Sequence, residues 1–169
     1  MIKLNVAAIP EGSSNFEAEA TLEDVDLVDD EEFKEKIRIV YNCNRVGNEM
    51  FIKTALSTTV DLNCDLCLEP FQSTLSETVE IVLTRDAELV ERGEEDVYLF
   101  TESTSEVDIT ESVKQSLLLA VPFKKVCKAD CKGLCPTCGA NLNIESCSCT
   151  DDKIDPRWQA LKEIFFDDE

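Results

Sequence analysis

The chain has 169 residues, of which 43% are hydrophobic, so it is long enough for one domain with a modest core and too short for a multidomain enzyme. Its 36 acidic and 16 basic residues give a net charge of -20. Sequence-independent binding to nucleic acid or to an anionic membrane relies on Lys and Arg. The charge therefore argues against both modes of binding and indicates basic partners.

Neither a membrane span nor a signal peptide is indicated. No apolar run approaches the ~20 residues that a transmembrane helix needs, and the apolar run in MIKLNVAAIPEG is too short for a signal peptide. We predict a cytoplasmic protein without membrane contacts. Histidine is absent, which removes the commonest general base, the His-dependent triads and every mixed Cys/His zinc site.

The first half of the chain is predicted to form antiparallel strands. In residues 1–10, apolar and other side chains alternate as in a strand. The acid-rich stretch 11–36 fits either a strand with an exposed acidic loop or a partly mobile segment. Residues 36–44 and 50–63 flank the turn-like RVGNE and predict a hairpin. The evenly spaced apolar side chains of residues 71–84 predict a further half-buried strand.

Two helices are predicted in the second half. Residues 86–111 are acidic and loop-like, with VYLF as a candidate short strand. After a cap at Asp108 or Thr110, apolar residues recur at helical spacing until Pro122, which predicts an amphipathic helix that covers one face of the sheet. Residues 155–166 begin with Asp-Pro and carry an apolar stripe, so they predict a short terminal helix.

Eight of the nine cysteines fall into two groups that are suited to metal binding. Cys64 and Cys67 form C-x-x-C at the end of a predicted strand. The second group consists of Cys127, Cys131, Cys135, Cys138, Cys147 and Cys149. A C-x-x-C turn lets two thiolates approach one tetrahedral ion, and the glycine in CPTCG permits the tight turn. A reducing cytoplasm disfavours disulfides, and eight thiolates match two closed zinc sites, so we predict two structural zinc ions.

The preferred partition of the ligands is local. One ion would be bound by Cys135, Cys138, Cys147 and Cys149. The other would be bound by Cys64, Cys67, Cys127 and Cys131, which ties the strand to the segment after the helix. Spacing alone leaves the opposite pairing open. The ninth cysteine, Cys43, lies on a predicted strand and is interpreted as an inert buried thiol.

Two other interpretations of this region stay open. An exposed C-x-x-C pair can act as a dithiol switch when nearby cations lower its pKa, so the chain could be a redox-sensitive zinc protein. Residues 121–135 carry four lysines and one aspartate, or +3, in an otherwise acidic chain. The lysines could contact RNA phosphate or only solvate the surface. They are Lys124, Lys125, Lys128 and Lys132.

The order of these motifs resembles the YceD family of large ribosomal RNA subunit accumulation proteins. The resemblance spans about residues 60–165 and rests on CDLCLEPF, DITESVKQSLLLAVP, CKGLCPTCGANLN, CSC and DPRWQALK. It implies a role in accumulation of large-subunit ribosomal RNA, with relatives in plant plastids, and carries over no catalytic residue. Some members lack part of the second cysteine group, which implies that the metal there supports the fold. Cys43 is an addition in this chain.

These observations predict an α+β protein with an antiparallel sheet or partly open barrel, one covering helix and a C-terminal zinc-binding segment. Residues 1–125 would form the acidic α+β domain, and residues 126–169 the cysteine-rich segment with the terminal helix. The predicted function is a non-enzymatic ribosome assembly factor. Its expected partner is a basic ribosomal protein or a large-subunit assembly intermediate, held by the acidic surface.

Overall fold

The computed structural model describes residues 1–91, 93 and 96–149. Its strands are β1 (Lys3–Asn5), β2 (Gly12–Ala20), β3 (Ile37–Val46), β4 (Glu49–Asn63), β5 (Pro70–Thr84), β6 (Val97–Leu99) and β7 (Glu106–Asp108). Its helices are α1 (Ala87–Glu91) and α2 (Thr110–Ala120), and a 3₁₀ turn follows β1 at Val6–Ala8. The predicted terminal helix at 155–166 lies outside the described residues.

The strands form two open sheets. The larger one has the order β2-β3-β4-β5-β6, and the smaller one pairs β1 with β7. All neighbours in the larger sheet are antiparallel except β5 and β6, which run parallel. The segment that contains α1 returns the chain to the start of β6, because parallel neighbours need a crossover connection. The sheet is therefore mixed and open, which corrects the prediction of an antiparallel sheet or partly open barrel.

The predicted hairpin of β3 and β4 is confirmed. Val46 pairs with Glu49, so the loop consists of Gly47 and Asn48 alone. Gly47 has a φ of +57°, a conformation that the primed turns of two-residue hairpins favour. Along β4, every second side chain is buried from Met50 to Leu62, as expected for a strand with one face on the core.

The covering helix α2 packs against β5, and Val113 and Leu117 are buried in the core. The carboxylate of Asp108 accepts a hydrogen bond of 2.9 Å from the backbone nitrogen of Thr110, at the predicted start of the helix. The helix ends at Ala120, two residues before Pro122. The structure also contains the five-residue helix α1, in a stretch for which the sequence predicts an acidic loop.

The acidic stretch 11–36 is anchored to the core. Its first part forms β2, which pairs with β3 over its full length. In the loop that follows, Val25, Leu27 and Phe33 are buried, and Phe33 forms an isolated antiparallel bridge with Val60. We define residues 21–36 as the acidic loop. The first of the two predicted interpretations, a strand followed by an acidic loop, therefore applies.

Among the residues that the structure describes, no helix is long and apolar enough to cross a membrane. The division into an acidic domain and a cysteine-rich segment after residue 125 stays a prediction.

Candidate metal centres

The structure arranges the eight cysteines in two groups of four, and the first of these groups lies at the loop between β4 and β5. Cys64 directly follows β4, and the turn from Cys64 to Cys67, here the first knuckle, is closed by a 2.8 Å hydrogen bond from the Leu68 nitrogen to the Cys64 carbonyl. Leu68 has a φ of +62°, which lets the chain turn back into β5. Both knuckle thiols are buried, with 0% of Cys64 and 4% of Cys67 exposed.

The segment after α2 brings Cys127 and Cys131 to this knuckle. The Sγ atoms of Cys64 and Cys131 are 3.8 Å apart, and those of Cys67 and Cys127 are 3.7 Å apart. All four Sγ atoms lie within 4.8 Å of one another. Two hydrogen bonds between Asp65 and Lys125 hold the segment. The Asp65 nitrogen donates to the Lys125 carbonyl at 2.7 Å, and the Lys125 nitrogen donates to the Asp65 carboxylate at 2.7 Å.

The second cysteine group is formed by the chain around the turn from Cys135 to Cys138, here the second knuckle. The Cys135 nitrogen donates to the Ala140 carbonyl at 2.8 Å, and the Gly139 nitrogen donates to the Cys135 carbonyl at 2.9 Å. The Sγ atoms of the group, again within 4.8 Å of one another, belong to Cys135, Cys138, Cys147 and Cys149. This group is less enclosed than the first, because Cys138 and Cys149 are exposed.

The spacing of the thiols suits a tetrahedral metal ion. Four sulfurs at ~2.3 Å from a central zinc ion stand ~3.8 Å from one another, close to the Sγ distances of the first group. The structure groups the eight cysteines as the preferred local pairing predicts. Cys64 and Cys67 lie in one site, and Cys135 and Cys138 lie in the other. Four thiolates would close each coordination shell, so the groups fit structural sites with no open position for a substrate.

The thiol pKa values within each group are pushed apart. Burial opposes the change, but hydrogen bonds from the backbone amides of Cys127 and Cys67 lower the pKa of Cys64 to about 6. Burial and hydrogen bonds with its neighbours raise the pKa of Cys127 to about 12. Backbone hydrogen bonds lower the pKa of Cys135 to about 6, and the hydrogen bond with Cys138 together with burial raises that of Cys149 to about 12. A bound divalent cation would favour the thiolate form of all four cysteines in a group.

The first knuckle contacts the two residues that precede the second knuckle. The Leu134 nitrogen donates a hydrogen bond of 2.9 Å to the Leu66 carbonyl, which lies within the first knuckle. Gly133, with a φ of +73°, sits against the same carbonyl, and a Cβ at this position would be 3.0 Å from its oxygen. The two candidate sites therefore form one compact unit beside the β4–β5 loop.

This contact predicts unequal effects for two glycine substitutions. A side chain at positive φ costs about 1–2 kcal/mol, which applies to Gly133→Ala and to Gly139→Ala, whose φ is +75°. An added Cβ at Gly139 would have no atom within 4 Å. The Cβ of Gly133→Ala would displace Leu66, which lowers the stability by a further ~1–3 kcal/mol. Urea denaturation of the metal-loaded variants measures the difference. Equal losses of stability would contradict the predicted contact.

Two asparagines of the CGANLN string stabilise the unit through hydrogen bonds, and the sequence patterns did not predict this role. The Asn143 amide donates to the Cys131 sulfur at 3.4 Å and to the Asn141 side-chain oxygen at 2.9 Å. The Asn143 oxygen accepts from the Lys132 nitrogen at 3.0 Å, and the Asn141 amide donates to Glu69 at 3.4 Å. Asn143 thus joins the second knuckle to a ligand of the first site. The recurrence of asparagine at alternate positions beside the knuckle was the available sequence signal.

Replacing Asn143 by alanine should weaken metal binding at the first site. Removing an outer hydrogen bond to a metal ligand typically lowers affinity about 10–100-fold, and we expect a loss in this range for zinc. Competition with a chromophoric chelator measures the affinity. Asn63→Ala, an exposed position next to Cys64, is the matched control and should have little effect. Equal zinc affinity of the two variants would show that the hydrogen bond to Cys131 does not stabilise the site.

The predicted lysine group is not uniform. Lys124, Lys128 and Lys132 are exposed, as expected for a basic surface. Lys125 is half-buried, and its ammonium forms an ion pair with Glu32 of the acidic loop. Three of the four lysines are therefore presented to solvent, and Lys125 links the metal-binding segment to the acidic loop.

The burial of Cys64 and Cys67 disfavours an accessible dithiol switch at the first knuckle.

Comparison with known proteins gives one family and several relatives. The family model described as "Large ribosomal RNA subunit accumulation protein YceD" matches residues 52–165, which include both cysteine groups and α2. An uncharacterized protein of Mycobacterium tuberculosis is 35% identical over 107 residues, which cover 60% of this chain and 48% of that protein. No solved structure matches the chain.

Two plant relatives carry a functional name. Both are called "Large ribosomal RNA subunit accumulation protein YCED homolog 1, chloroplastic". The Zea mays protein is 28% identical over 120 residues, covering 54% of this chain and 41% of the relative. The Arabidopsis thaliana protein is 34% identical over 67 residues, covering 40% of this chain and 21% of the relative. The chain spans about half the length, or less, of the curated relatives that it matches.

Proposed function

The chain belongs to the YceD family, and from this membership we propose that it promotes accumulation of large-subunit ribosomal RNA as a non-enzymatic ribosome assembly factor. The observation that carries the proposal is the family match over residues 52–165, supported by the names of the plant relatives. The resemblance recognised from the cysteine and helix motifs is confirmed by this match.

We propose that both cysteine groups hold structural zinc. Thiolate ligands select soft ions such as zinc, and the grouping of four sulfurs at each site supports tetrahedral coordination. The segment after α2 contributes few residues to the core, so metal binding would supply much of its folding free energy. In this proposal the zinc ions hold a scaffold in place and take no part in a reaction.

The direct partner is proposed to be a basic ribosomal protein or a large-subunit assembly intermediate. The net charge of -20 would attract a basic protein and speed its association. The acidic loop supports this role, since its buried anchors Val25, Leu27 and Phe33 hold it in place without covering most of its carboxylates.

Direct binding of RNA through the lysines is less favoured. Lys125 is engaged with Glu32, which leaves Lys124, Lys128 and Lys132 for phosphate contacts. Each site of four thiolates and one divalent zinc would carry a formal charge of about -2, because four negative sulfurs exceed the two positive charges of the ion. These charges offset the lysines beside them. The local charge thus supports a protein partner over RNA.

Affinity capture tests the proposal. We expect the tagged protein to recover large-subunit ribosomal proteins or precursor particles at low salt, with recovery falling steeply as salt increases because charge attraction is screened. In parallel, the purified protein should bind naked ribosomal RNA weakly at physiological salt. Failure to recover any large-subunit component would contradict the proposed function. Tight RNA binding that depends on the exposed lysines would contradict the proposed partner.

A further inference from the structure

The C-terminal end of α2 presents large apolar side chains to solvent. Of the helix residues, Leu118 is 41% exposed and Leu119 84% exposed, and Phe123 just beyond the helix is fully exposed. The sequence predicts a core-facing stripe of Val113, Leu117, Leu118 and Val121. The structure buries Val113 and Leu117 and leaves Val121 partly buried, but it exposes Leu118. Contiguous exposed apolar residues of this size are typical of interaction surfaces.

The acidic loop borders this end of the helix. Lys114 of α2 donates to the Asp26 carboxylate at 2.8 Å, and this contact lowers the pKa of Asp26. Leu118 lies one helical turn after Lys114 and so shares its face of α2. Further along the loop, Glu32 forms an ion pair with Lys125, just beyond the helix, so residues 26–32 pass beside the C-terminal half of α2. Val28, in this stretch, is 57% exposed. Leu118 and Val28 are therefore exposed on the side where the helix and the loop meet, and Leu119 follows Leu118 towards the outer face of α2.

Acidic groups border this apolar surface on the side of the loop. Asp29 and Glu31 are exposed in the loop beside Val28. On the far side of Phe123 the exposed Lys124 begins the basic segment. The surface is thus apolar at its centre and acidic towards the loop. We define the helix-end face by its apolar residues Val28, Leu118, Leu119 and Phe123.

We propose that the helix-end face is the docking site for a basic protein segment that carries apolar side chains. This inference rests on the proposed function and gives its partner contact a defined surface. Apolar side chains of the segment would cover Leu118 and Leu119, and its Lys or Arg side chains would meet Asp29 and Glu31. A second copy of this chain fits less well, because two molecules of charge -20 repel each other. RNA fits less well, because phosphate would face the carboxylates of the loop.

Two pairs of variants test the location. Leu119→Ser removes an exposed apolar contact, and Val46→Ser is its control at another exposed apolar position, the end of β3. Asp29→Asn with Glu31→Gln neutralises the acidic border, and Glu88→Gln with Glu91→Gln makes the same change in charge in α1. The probes are purified large-subunit ribosomal proteins, titrated one at a time against the zinc-loaded full chain and each variant.

The expected results separate this inference from the proposed function. Leu119→Ser should weaken binding of the recovered protein at least ~5–10-fold, as truncation of a central contact does, and the acidic variant should slow association and reduce its salt dependence. Both controls should bind like the unmodified chain. If the unmodified chain binds but the variants match their controls, the docking site is wrong and the proposed function stands. Binding of no ribosomal protein at low salt would overturn both.

Discussion

Replacing Cys138 by serine is expected to release one of two zinc ions and to unfold the second knuckle while the sheet survives. Structural zinc binding in small peptides is worth about 10–16 kcal/mol at neutral pH, and in such segments this binding energy is folding energy. Cys138 shares its site with Cys135, Cys147 and Cys149, all within one short segment. The loss should therefore stay local, and residues 134–149 should become sensitive to protease.

Elemental analysis and limited proteolysis measure this effect. The unmodified chain should contain two zinc ions and Cys138→Ser one. The control is Cys43→Ser, because Cys43 lies in β3, pairs with Ile52 of β4 and belongs to neither group. It should retain both ions. Full metal content and unchanged protease resistance in Cys138→Ser would show that the local site is assigned wrongly.

Replacing Phe33 by alanine is expected to lower the free energy of unfolding by about 3–5 kcal/mol, since it leaves a large cavity in a packed core. Phe33 is only 1% exposed and is among the largest fully buried side chains. It is also bridged to Val60 in β4, and the neighbouring Asp61 nitrogen donates to the Glu32 carbonyl at 2.8 Å. The substitution should therefore destabilise the sheet and release the acidic loop from it.

Urea denaturation gives the stability change, and amide hydrogen exchange reports the opening of the loop. Val28→Ala is the control within the same loop, because 57% of that side chain is exposed, and we expect a change within about 0.5 kcal/mol. If Phe33→Ala cost no more than Val28→Ala, the anchoring of the acidic loop by the core would be refuted.

Patterns that are local in the sequence predicted much of the sheet. The β3–β4 hairpin followed from a two-residue turn at Gly47 and Asn48 between alternating runs, because such a turn fixes the register. The parallel pairing of β6 could not be predicted, since three residues after a crossover carry no signal for their neighbour. The burial of Val25, Leu27 and Phe33 in the acidic loop was also hard to predict. These apolar residues do not continue the alternating pattern of the flanking strands.

The site was predictable to the extent that ligand chemistry constrains it. Paired cysteines at C-x-x-C spacing identified the thiols, but spacing alone left the pairing of the two groups open. The contact of Gly133 with Leu66 and the hydrogen bond from Asn143 to Cys131 depend on how the knuckles pack together. In the same way, Lys125 could not be separated from the other lysines, because its partner Glu32 is distant in the sequence.

The proposed role is tested most directly by the ratio of large-subunit to small-subunit ribosomal RNA in cells that lack the gene. Deletion should lower this ratio, and the unmodified protein should restore it. Cys43→Ser should also restore the ratio, while Phe33→Ala should restore it less well because it releases the acidic loop. A ratio that is the same with and without the gene, in growing cells, would contradict a function in accumulation of large-subunit ribosomal RNA.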